Sequence, residues 1–297
     1  MASLRSLTDD IDLYHEAFAI YHRIADRDNV MAGWVDSKLS EIVSGWSVSL
    51  SGQQPLKILS IGPGKGDIES RIISVLRSCR QPHHIVHATI VEPAAEMVNK
   101  YKEHVADQAS ELPNVAYDWR VQTLEDFQAT PTNHDARFHF ISSVHSIYYV
   151  PDLKTSLKDL YDRLEPGGIM LIVVVSDDSG MGQLWKSDLQ MHKTKDQHPT
   201  SSDIQVACAS QGIPVAQELR IKVRSNITFC LGEPEKLSTD GRLLLDFFTH
   251  TAHFVRDAPP DLQRDVRECL ASAKCSEKGE EGEVIFRGDW KAFIIKK

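Results

Sequence analysis

Three closely spaced glycines and one acidic residue are the side-chain pattern best suited to hold a ligand. Gly62, Gly64 and Gly66 follow a strongly apolar run, and Glu92 ends a second apolar run at 85–91. Glycines after a strand let the backbone approach a ligand closely, and an acid at the end of the next strand accepts hydrogen bonds from both hydroxyls of a ribose. The pattern therefore predicts an adenosine-binding site.

The glycine spacing is G-x-G-x-G, whereas dinucleotide folds usually carry G-x-G-x-x-G. Glycine-rich turns between a strand and a helix also occur for reasons of geometry alone. Two further features favour a class I S-adenosylmethionine-dependent methyltransferase. The Pro-Gly-Gly turn at 165–168 precedes the apolar strand 169–175, and the segment 123–127 follows the third strand, where such enzymes enclose the adenine. A nicotinamide-dependent dehydrogenase is the alternative.

The elements that position these residues alternate between strands and helices. Strands are expected at 56–61, 85–91, around 115–117, through 138–142 and at 169–175, with helices at 67–79, 94–108 and 153–164. This order predicts an α/β fold with a Rossmann-like, mostly parallel, seven-stranded sheet. We expect one methyltransferase domain over 1–297, comprising a helical cap (1–50), a cofactor core (51–176) and a substrate lid with closing strands (177–297). The segments 284–286 and 292–295 are expected to form a closing hairpin, with 276–282 as a turn and 225–241 as a loop.

Composition excludes some classes of function. The 297 residues carry a net charge of −9, which argues against a nucleic-acid partner and slightly favours a cationic substrate. The five cysteines, including Cys79, form no Cys-x-x-Cys pair and predict reduced thiols in a cytoplasmic protein. We expect no membrane span and no metal site.

The chain resembles the histamine N-methyltransferase family over essentially its whole length. Several matching segments lie outside the core shared by class I methyltransferases, which makes the resemblance specific. The full set of matching segments is 1–3, 5–7, 57–62, 91–93, 100–103, 148–150, 171–176 and 258–262. The resemblance implies a monomeric cytosolic enzyme that uses S-adenosylmethionine to methylate an imidazole nitrogen of histamine, a small-molecule partner.

The resemblance also implies a set of cofactor-binding positions. Gly62 and Glu92 match the family directly, whereas Met97, Leu124 and Val144 stand where it has glutamine, serine and isoleucine. Contacts made through the backbone can survive those changes. The predicted cofactor set is Gly62, Gly64, Glu92, Met97, Thr123, Leu124 and Val144.

The aromatic positions of the family's substrate pocket are partly kept. Met181 stands where the family has a tryptophan. Each retained ring could instead belong to the hydrophobic core. The retained positions are Tyr14, Tyr148, Tyr149, Trp185 and Phe247.

The three polar positions that grip histamine in the family all differ here. Arg27 stands in place of the acid that pairs with the ammonium, His145 in place of a glutamine, and Gly288 in place of an asparagine. A one-residue slip in the helix could bring Asp28 to the position of the acid. Without it, a guanidinium would repel an amine and attract a carboxylate, as in carnosine, which a similar branch of the family methylates. Histamine is narrowly preferred.

His145 is the one predicted catalytic residue. A neutral histidine could accept the N–H of an imidazole as the opposite ring nitrogen is methylated. His145 could equally be a polar residue after the fourth strand. The altered pocket is also compatible with a cofactor-binding protein that has lost catalysis, or with a methyltransferase of an unrelated small metabolite.

Overall fold

Ten strands and twelve α-helices are found in the computed structural model, which describes residues 4–46, 54–78, 85–108, 113–189 and 199–297. The strands are β1 Leu56–Ile61, β2 Val86–Val91, β3 Val115–Arg120, β4 Phe138–Val144, β5 Leu164–Val175, β6 Val215–Ile221, β7 Arg224–Asn226, β8 Ser276–Lys278, β9 Val284–Arg287 and β10 Trp290–Lys296. Residues 1–3 and Cys79, used in the sequence interpretation, lie outside the described residues.

Three helices precede the first strand, in agreement with the helical N-terminal segment that the sequence predicts. In chain order they are α1 Ile11–Ile24, α2 Arg27–Trp34, α3 Ser40–Ser44, α4 Asp67–Ser78, α5 Ala95–Asp107, α6 Leu124–Ala129, α7 Leu153–Asp162, α8 Gly180–Lys186, α9 Ser201–Ser210, α10 Thr239–Thr249, α11 Phe254–Asp257 and α12 Pro260–Ala271. A π-helical turn, Val35–Leu39, joins α2 to α3.

Seven strands form one sheet in the order β3-β2-β1-β4-β5-β10-β6. β1 runs parallel to β2 and β4, and the pairs β2/β3 and β4/β5 are parallel too. β10 runs antiparallel to β5, because Lys297 bonds to Gly167 and Gly168 beside the first residues of β5, whereas Asp289 bonds to Ser176 just past its end. The α/β fold with a mostly parallel seven-stranded sheet is therefore confirmed.

The expected closing hairpin is wrong. β9 pairs with β7 and β8 in a separate three-stranded antiparallel sheet, while β10 enters the large sheet. The partners of β9 come from segments that were expected to be a turn and a loop. Residues 276–278 form β8, and residues 224–226 form β7. The fifth strand starts at Leu164, earlier than expected, so the Pro-Gly-Gly segment lies within β5. A register shift against β4 accommodates this segment.

The chain divides into two compact units. The sheet unit comprises Met31–Val174, Ser202–Leu219 and Lys291–Lys297, and it contains the seven strands apart from a few terminal residues. The annex unit comprises Met1–Val30, Val175–Ser201 and Arg220–Trp290. The single domain with a lid remains a prediction.

The sheet unit is held together by apolar side chains on both faces of its parallel strands. β4 is buried along nearly its whole length, and β5 from Ile169 onward, as expected for strands covered by helices on both sides. This packing matters for function because it fixes the positions at which the carboxyl ends of the strands emerge. The buried hydrophobic core between the sheet and its helices includes Leu59, Ile141, Leu157, Ile172 and Phe293.

Candidate functional site

The glycine-rich turn after β1 adopts the backbone geometry that only glycine tolerates easily. Gly62, Gly64 and Gly66 have φ of 58°, 60° and 85°. A Cβ on Gly62 would lie 2.5 Å from Cβ of Ser146, and one on Gly66 would lie 2.1 Å from the ring of Tyr101. These two glycines therefore allow close packing within the sheet unit.

Gly64 differs from its neighbours because open space faces it. Apart from Gly64 itself and its two chain neighbours, no atom of the described residues lies within 4 Å of the position a Cβ would take there. The backbone N–H of Gly64 instead donates to Oε2 of Glu92 at 3.1 Å. Gly64 thus presents bare backbone to a space that a ligand can enter.

Glu92 is buried at the end of β2 and is held in a fixed orientation. Its Oε1 accepts from the N–H of Ala94 at 3.0 Å, and its Oε2 accepts from Gly64. Each carboxylate oxygen has two lone pairs, so both oxygens keep one for a further donor. Two such acceptors on one carboxylate match the two hydroxyls of a ribose.

The remaining predicted cofactor residues follow the carboxyl ends of neighbouring strands. Met97 lies partly exposed on the first turn of α5, and Val144 ends β4. Thr123 caps α6 through a bond from the N–H of Asp126, so its hydroxyl is already engaged, and Leu124 is buried in the core. Contacts of Thr123 and Leu124 with an adenine would therefore be made by their backbone.

Two residues near Thr123 were not predicted individually as site residues, although Glu125 lies in the segment 123–127 that was expected to enclose the adenine. Nε2 of Gln122 and Oε1 of Glu125 are buried and, within the part of the chain that the structure describes, have no hydrogen-bond partner. One is a donor and the other an acceptor, and an adenine edge offers the complement of both. No sequence pattern identifies them, because burial without a partner is visible only in three dimensions.

The strand order explains why these residues form one site. It reverses direction between β1 and β4, and ligands of open α/β sheets bind outside the carboxyl ends of the strands at such a point. Gly62, Glu92, Thr123 and Val144 follow or end four adjacent strands of this edge. Gly64 and Glu92 provide the bare backbone and the acceptors that an adenosine requires.

His145 and Tyr148 form a pair on the loop after β4. His145 has a left-handed backbone with φ of 54°, and its Nδ1 lies 2.6 Å from the hydroxyl of Tyr148. Ser146, between them, bonds to the carbonyl of Ile61, which ties this loop to the glycine turn. The imidazole therefore has a defined orientation beside the cofactor-binding edge.

Comparison with known proteins reveals what this site serves. Residues 15–218 match a family model described as a methyltransferase domain. The chain is 34% identical to histamine N-methyltransferase A of Xenopus laevis, with 99% of each chain covered, and 30% identical to histamine N-methyltransferase of Rattus norvegicus, with 100% and 99% covered. The chain belongs to the histamine N-methyltransferase family. It is an S-adenosylmethionine-dependent N-methyltransferase.

The solved structures support the same fold. Loganic acid methyltransferase with SAH superposes with a TM-score of 0.56 at 9% identity, covering 91% of this chain and 94% of the other. The Rossmann-like class I methyltransferase fold is thereby confirmed, and the family match excludes the alternative of a dehydrogenase. The Gly64–Glu92 edge fits S-adenosylmethionine, the methyl donor of this family.

Most of the predicted substrate residues lie in the annex unit. Three of them, Tyr14, Trp185 and Phe247, belong to one series of aromatic rings. The ring of Phe18 is stacked on that of Tyr14, with 6.2 Å between ring centres, and its centre lies 5.8 Å from that of Phe247. Phe247 lies 6.1 Å from His250, which meets Trp185 edge-on at the same distance. Phe18 and His250 were not predicted as site residues, although the helical spacing of Tyr14 and Phe18 was visible in the sequence.

Arg27 faces this aromatic series. Its guanidinium carbon lies 5.3 Å from the ring centre of Phe18 and 5.6 Å from that of Trp290. The side chain is 18% exposed, and its buried Nε has no hydrogen-bond acceptor among the residues that the structure describes. The carboxylate of Asp28 is 3.8 Å from that Nε, beyond hydrogen-bond reach.

Two carboxylates near Arg27 are exposed or paired with cations. Asp28 is exposed and pairs with Nε2 of His22 at 3.0 Å. Asp289 is fully buried, but Arg220 and Arg224 both bind it. The inward-facing charge beside the rings is thus that of Arg27.

Gly288 leaves room for a tyrosine hydroxyl. A Cβ at this position would lie 2.7 Å from the hydroxyl oxygen of Tyr21, whose ring stacks on Phe247 at 4.8 Å. Burial raises the pKa of Tyr21 to about 12, with Arg27 acting in the opposite direction. Tyr21 therefore stays neutral and occupies space that a larger residue at 288 would need.

Two negative findings complete the description. Across the described ranges, no cluster of three or more His, Cys, Asp or Glu side chains is arranged to hold a metal ion. No helix in those ranges has the length and apolar character that crossing a membrane requires.

Proposed function

We propose that this N-methyltransferase transfers a methyl group to a ring nitrogen of a small imidazole compound, with histamine as the first candidate. The proposal is carried by the full-length similarity to proteins named histamine N-methyltransferase. The pairing of His145 with Tyr148 and the aromatic series of the annex unit support it chemically. A monomeric, cytoplasmic enzyme is part of the proposal.

The chemistry required of the protein is modest. Bound S-adenosylmethionine supplies a methyl group on a cationic sulfur, which leaves without needing a proton. The chain must orient the acceptor and exclude water. As the acceptor nitrogen gains its methyl group, the N–H on the other ring nitrogen becomes more acidic, and an acceptor for that N–H stabilises the developing charge.

His145 is proposed to be that acceptor. If its Nδ1 carries the proton and donates to the oxygen of Tyr148, Nε2 carries the lone pair. The 2.6 Å contact with Tyr148 is compatible with this tautomer and holds the imidazole ring in place. Tyr148 acts through His145 and is a positioning residue.

The annex rings are proposed to attract the acceptor's own ring. The π faces of Tyr14, Trp185 and Phe247 interact favourably with a ring that becomes cationic during transfer, by about 0.5–2 kcal/mol each. This assignment is separate from that of His145.

A second candidate acceptor is an imidazole that also bears a carboxylate, such as carnosine. The observation in its favour is Arg27, a largely buried guanidinium between Phe18 and Trp290 whose Nε lacks an acceptor within the described residues. An ammonium placed near it would be repelled, whereas a carboxylate would form a charge-assisted bond. Asp28, exposed and bound to His22, is poorly placed to reverse this preference.

The test is an acceptor panel. Purified protein is incubated with methyl-labelled S-adenosylmethionine and, separately, histamine, carnosine, histidine, a catechol or a simple amine. Label in histamine alone supports the first candidate, and label in carnosine alone supports the second. Label found only in the catechol or the amine would overturn the imidazole proposal, as would cofactor binding without transfer to any imidazole.

A further inference from the structure

Two of the chain's cysteines lie together in the annex unit. Cys269 is on the last turns of α12, and Cys275 lies just before β8. Their sulfur atoms are 3.8 Å apart, within reach of an S–H···S contact. Both are free thiols, and neither has a role in the methyl-transfer site described above.

The turn between them is short and well defined. The N–H of Ser272 donates to the carbonyl of Cys269, and the N–H of Cys275 donates to the carbonyl of Ser272, at 3.1 Å and 3.0 Å. This hydrogen-bonded turn brings the chain back upon the end of α12. The two sulfurs are therefore neighbours because of the local backbone and do not rely on a distant contact.

The two thiols differ in exposure and acidity. Cys269 is partly exposed, whereas Cys275 is fully buried. The contact with the thiol of Cys275 lowers the pKa of Cys269, and Lys274 acts in the same direction. The same contact raises the pKa of Cys275. The thiolate forms at the sulfur that solvent can reach, as in thiols that react with oxidants.

We propose that Cys269 and Cys275 are an oxidisable dithiol that closes to an intramolecular disulfide on exposure to a peroxide. Cys269 attacks one oxygen of hydrogen peroxide and the O–O bond breaks. That oxygen stays on the sulfur as a sulfenic acid, and the other oxygen leaves as water. Cys275 then attacks the sulfur of Cys269, forming the S–S bond and releasing a second water. Two thiols are oxidised for each peroxide reduced.

Closing the bond requires movement at Cys275. Sulfur atoms in a disulfide are about 2.05 Å apart, so the gap of 3.8 Å must shorten. The carbonyl of Cys275 accepts the N–H of Arg287 in β9 and is packed against Gly180, where an added Cβ would lie only 2.3 Å from it. Gly180 opens α8, the helix that carries Trp185, so a shift of the Cys275 backbone would be transmitted to that helix.

The first experiment counts thiols. The full chain is treated with hydrogen peroxide, denatured and titrated with a thiol reagent before and after reduction with dithiothreitol. The five cysteines of the untreated protein should fall to three and return to five on reduction. Peptide mapping should place the new cross-link between 269 and 275, in monomeric protein on a non-reducing gel.

Variants separate the two chemical steps. Cys275→Ala should stop at the sulfenic acid of Cys269, which dimedone traps, and Cys269→Ala should show neither dimedone label nor disulfide. Cys208→Ala, which alters a buried cysteine of the sheet unit, is the matched control and should lose two thiols as the wild type does. Equal thiol loss in Cys269→Ala, or a cross-link between chains, would overturn the proposal. None of these readouts depends on the acceptor that the enzyme methylates.

Discussion

The carboxylate of Glu92 is bonded to the backbone N–H of Gly64, 28 residues earlier in the chain, at 3.1 Å. This bond joins the end of β2 to the glycine turn after β1, and the second oxygen of Glu92 is fixed by Ala94. The acid and the bare backbone are thus set beside each other by the sheet before any ligand arrives.

Glu92→Gln should weaken cofactor binding roughly 5- to 100-fold, about 1–3 kcal/mol, because charge-assisted bonds to the ribose are lost. Calorimetry with S-adenosylhomocysteine measures the effect. Glu96→Gln is the matched control, since Glu96 is exposed and pairs with Lys100. Unchanged affinity in Glu92→Gln would show that the ribose binds elsewhere.

Alanine at two glycines of the turn should act differently. Gly66→Ala must displace the fully buried ring of Tyr101 and should lower the free energy of unfolding by roughly 2–4 kcal/mol. Gly64→Ala suffers only the left-handed backbone strain, about 1 kcal/mol, but its methyl enters the ligand space. Urea denaturation and cofactor calorimetry distinguish them. A Gly64→Ala protein with full cofactor affinity would contradict the assignment of that space.

Tyr148→Phe should lower kcat about tenfold and leave cofactor affinity unchanged, because the hydrogen bond that holds the imidazole of His145 in place is removed. Steady-state kinetics across a range of pH provide the test, since a merely structural role would not alter the pH profile. Tyr149→Phe is the control, because that ring is 70% exposed. The role is refuted if the two variants have the same kcat and profile.

Arg27→Met should discriminate between the two acceptors. It keeps an apolar stem beside Phe18 and Trp290 but removes the charge. If the acceptor bears a carboxylate, kcat/KM for carnosine should fall roughly 10- to 100-fold, the value of one charge-assisted bond, whereas that for histamine should hold or rise. Arg23→Met, in which an exposed surface arginine is lost, is the control. A fall for histamine alone would reverse the interpretation of Arg27.

Glu69 should make stability depend on pH. Its carboxyl on α4 is buried against Ser142, and burial raises its pKa from 4.5 to about 7. Between these values the folded state holds a proton that the unfolded state has lost, so the free energy of unfolding falls as pH rises.

Glu69→Gln removes this dependence. The variant should gain up to about 3 kcal/mol over the wild type at pH 8 and nothing near pH 4. Urea denaturation at several pH values measures it, with Glu96→Gln as the exposed control. A residual slope in the same direction is expected from Asp246, whose pKa burial also raises to about 7. Parallel stability curves for wild type and Glu69→Gln would exclude the effect.

The sequence alone predicted the parallel part of the sheet, which the structure confirms, and a cofactor-binding edge, which stays a prediction. The hydrophobic periods of strands and helices are local, so β1, α4 and β2 were located to within a residue or two. The glycines of the turn can be recognised directly from the residue type. Glu92 followed from the same pattern, because parallel strands must bring their carboxyl ends to one edge.

Tertiary structure decided what no local pattern contains. The partners of β9 and β10 depend on contacts between segments far apart in the chain, and the sequence offers both strands to either sheet. The same is true of the unpartnered atoms of Gln122 and Glu125 and of the ring series through Phe18 and His250. Arg27 shows the reason most directly, since its neighbours Asp26 and Asp28 are exposed while it packs against the rings of Phe18 and Trp290. Which side of a helix is buried is decided by the surfaces that pack on it, and burial determines whether a charge meets water or a ligand.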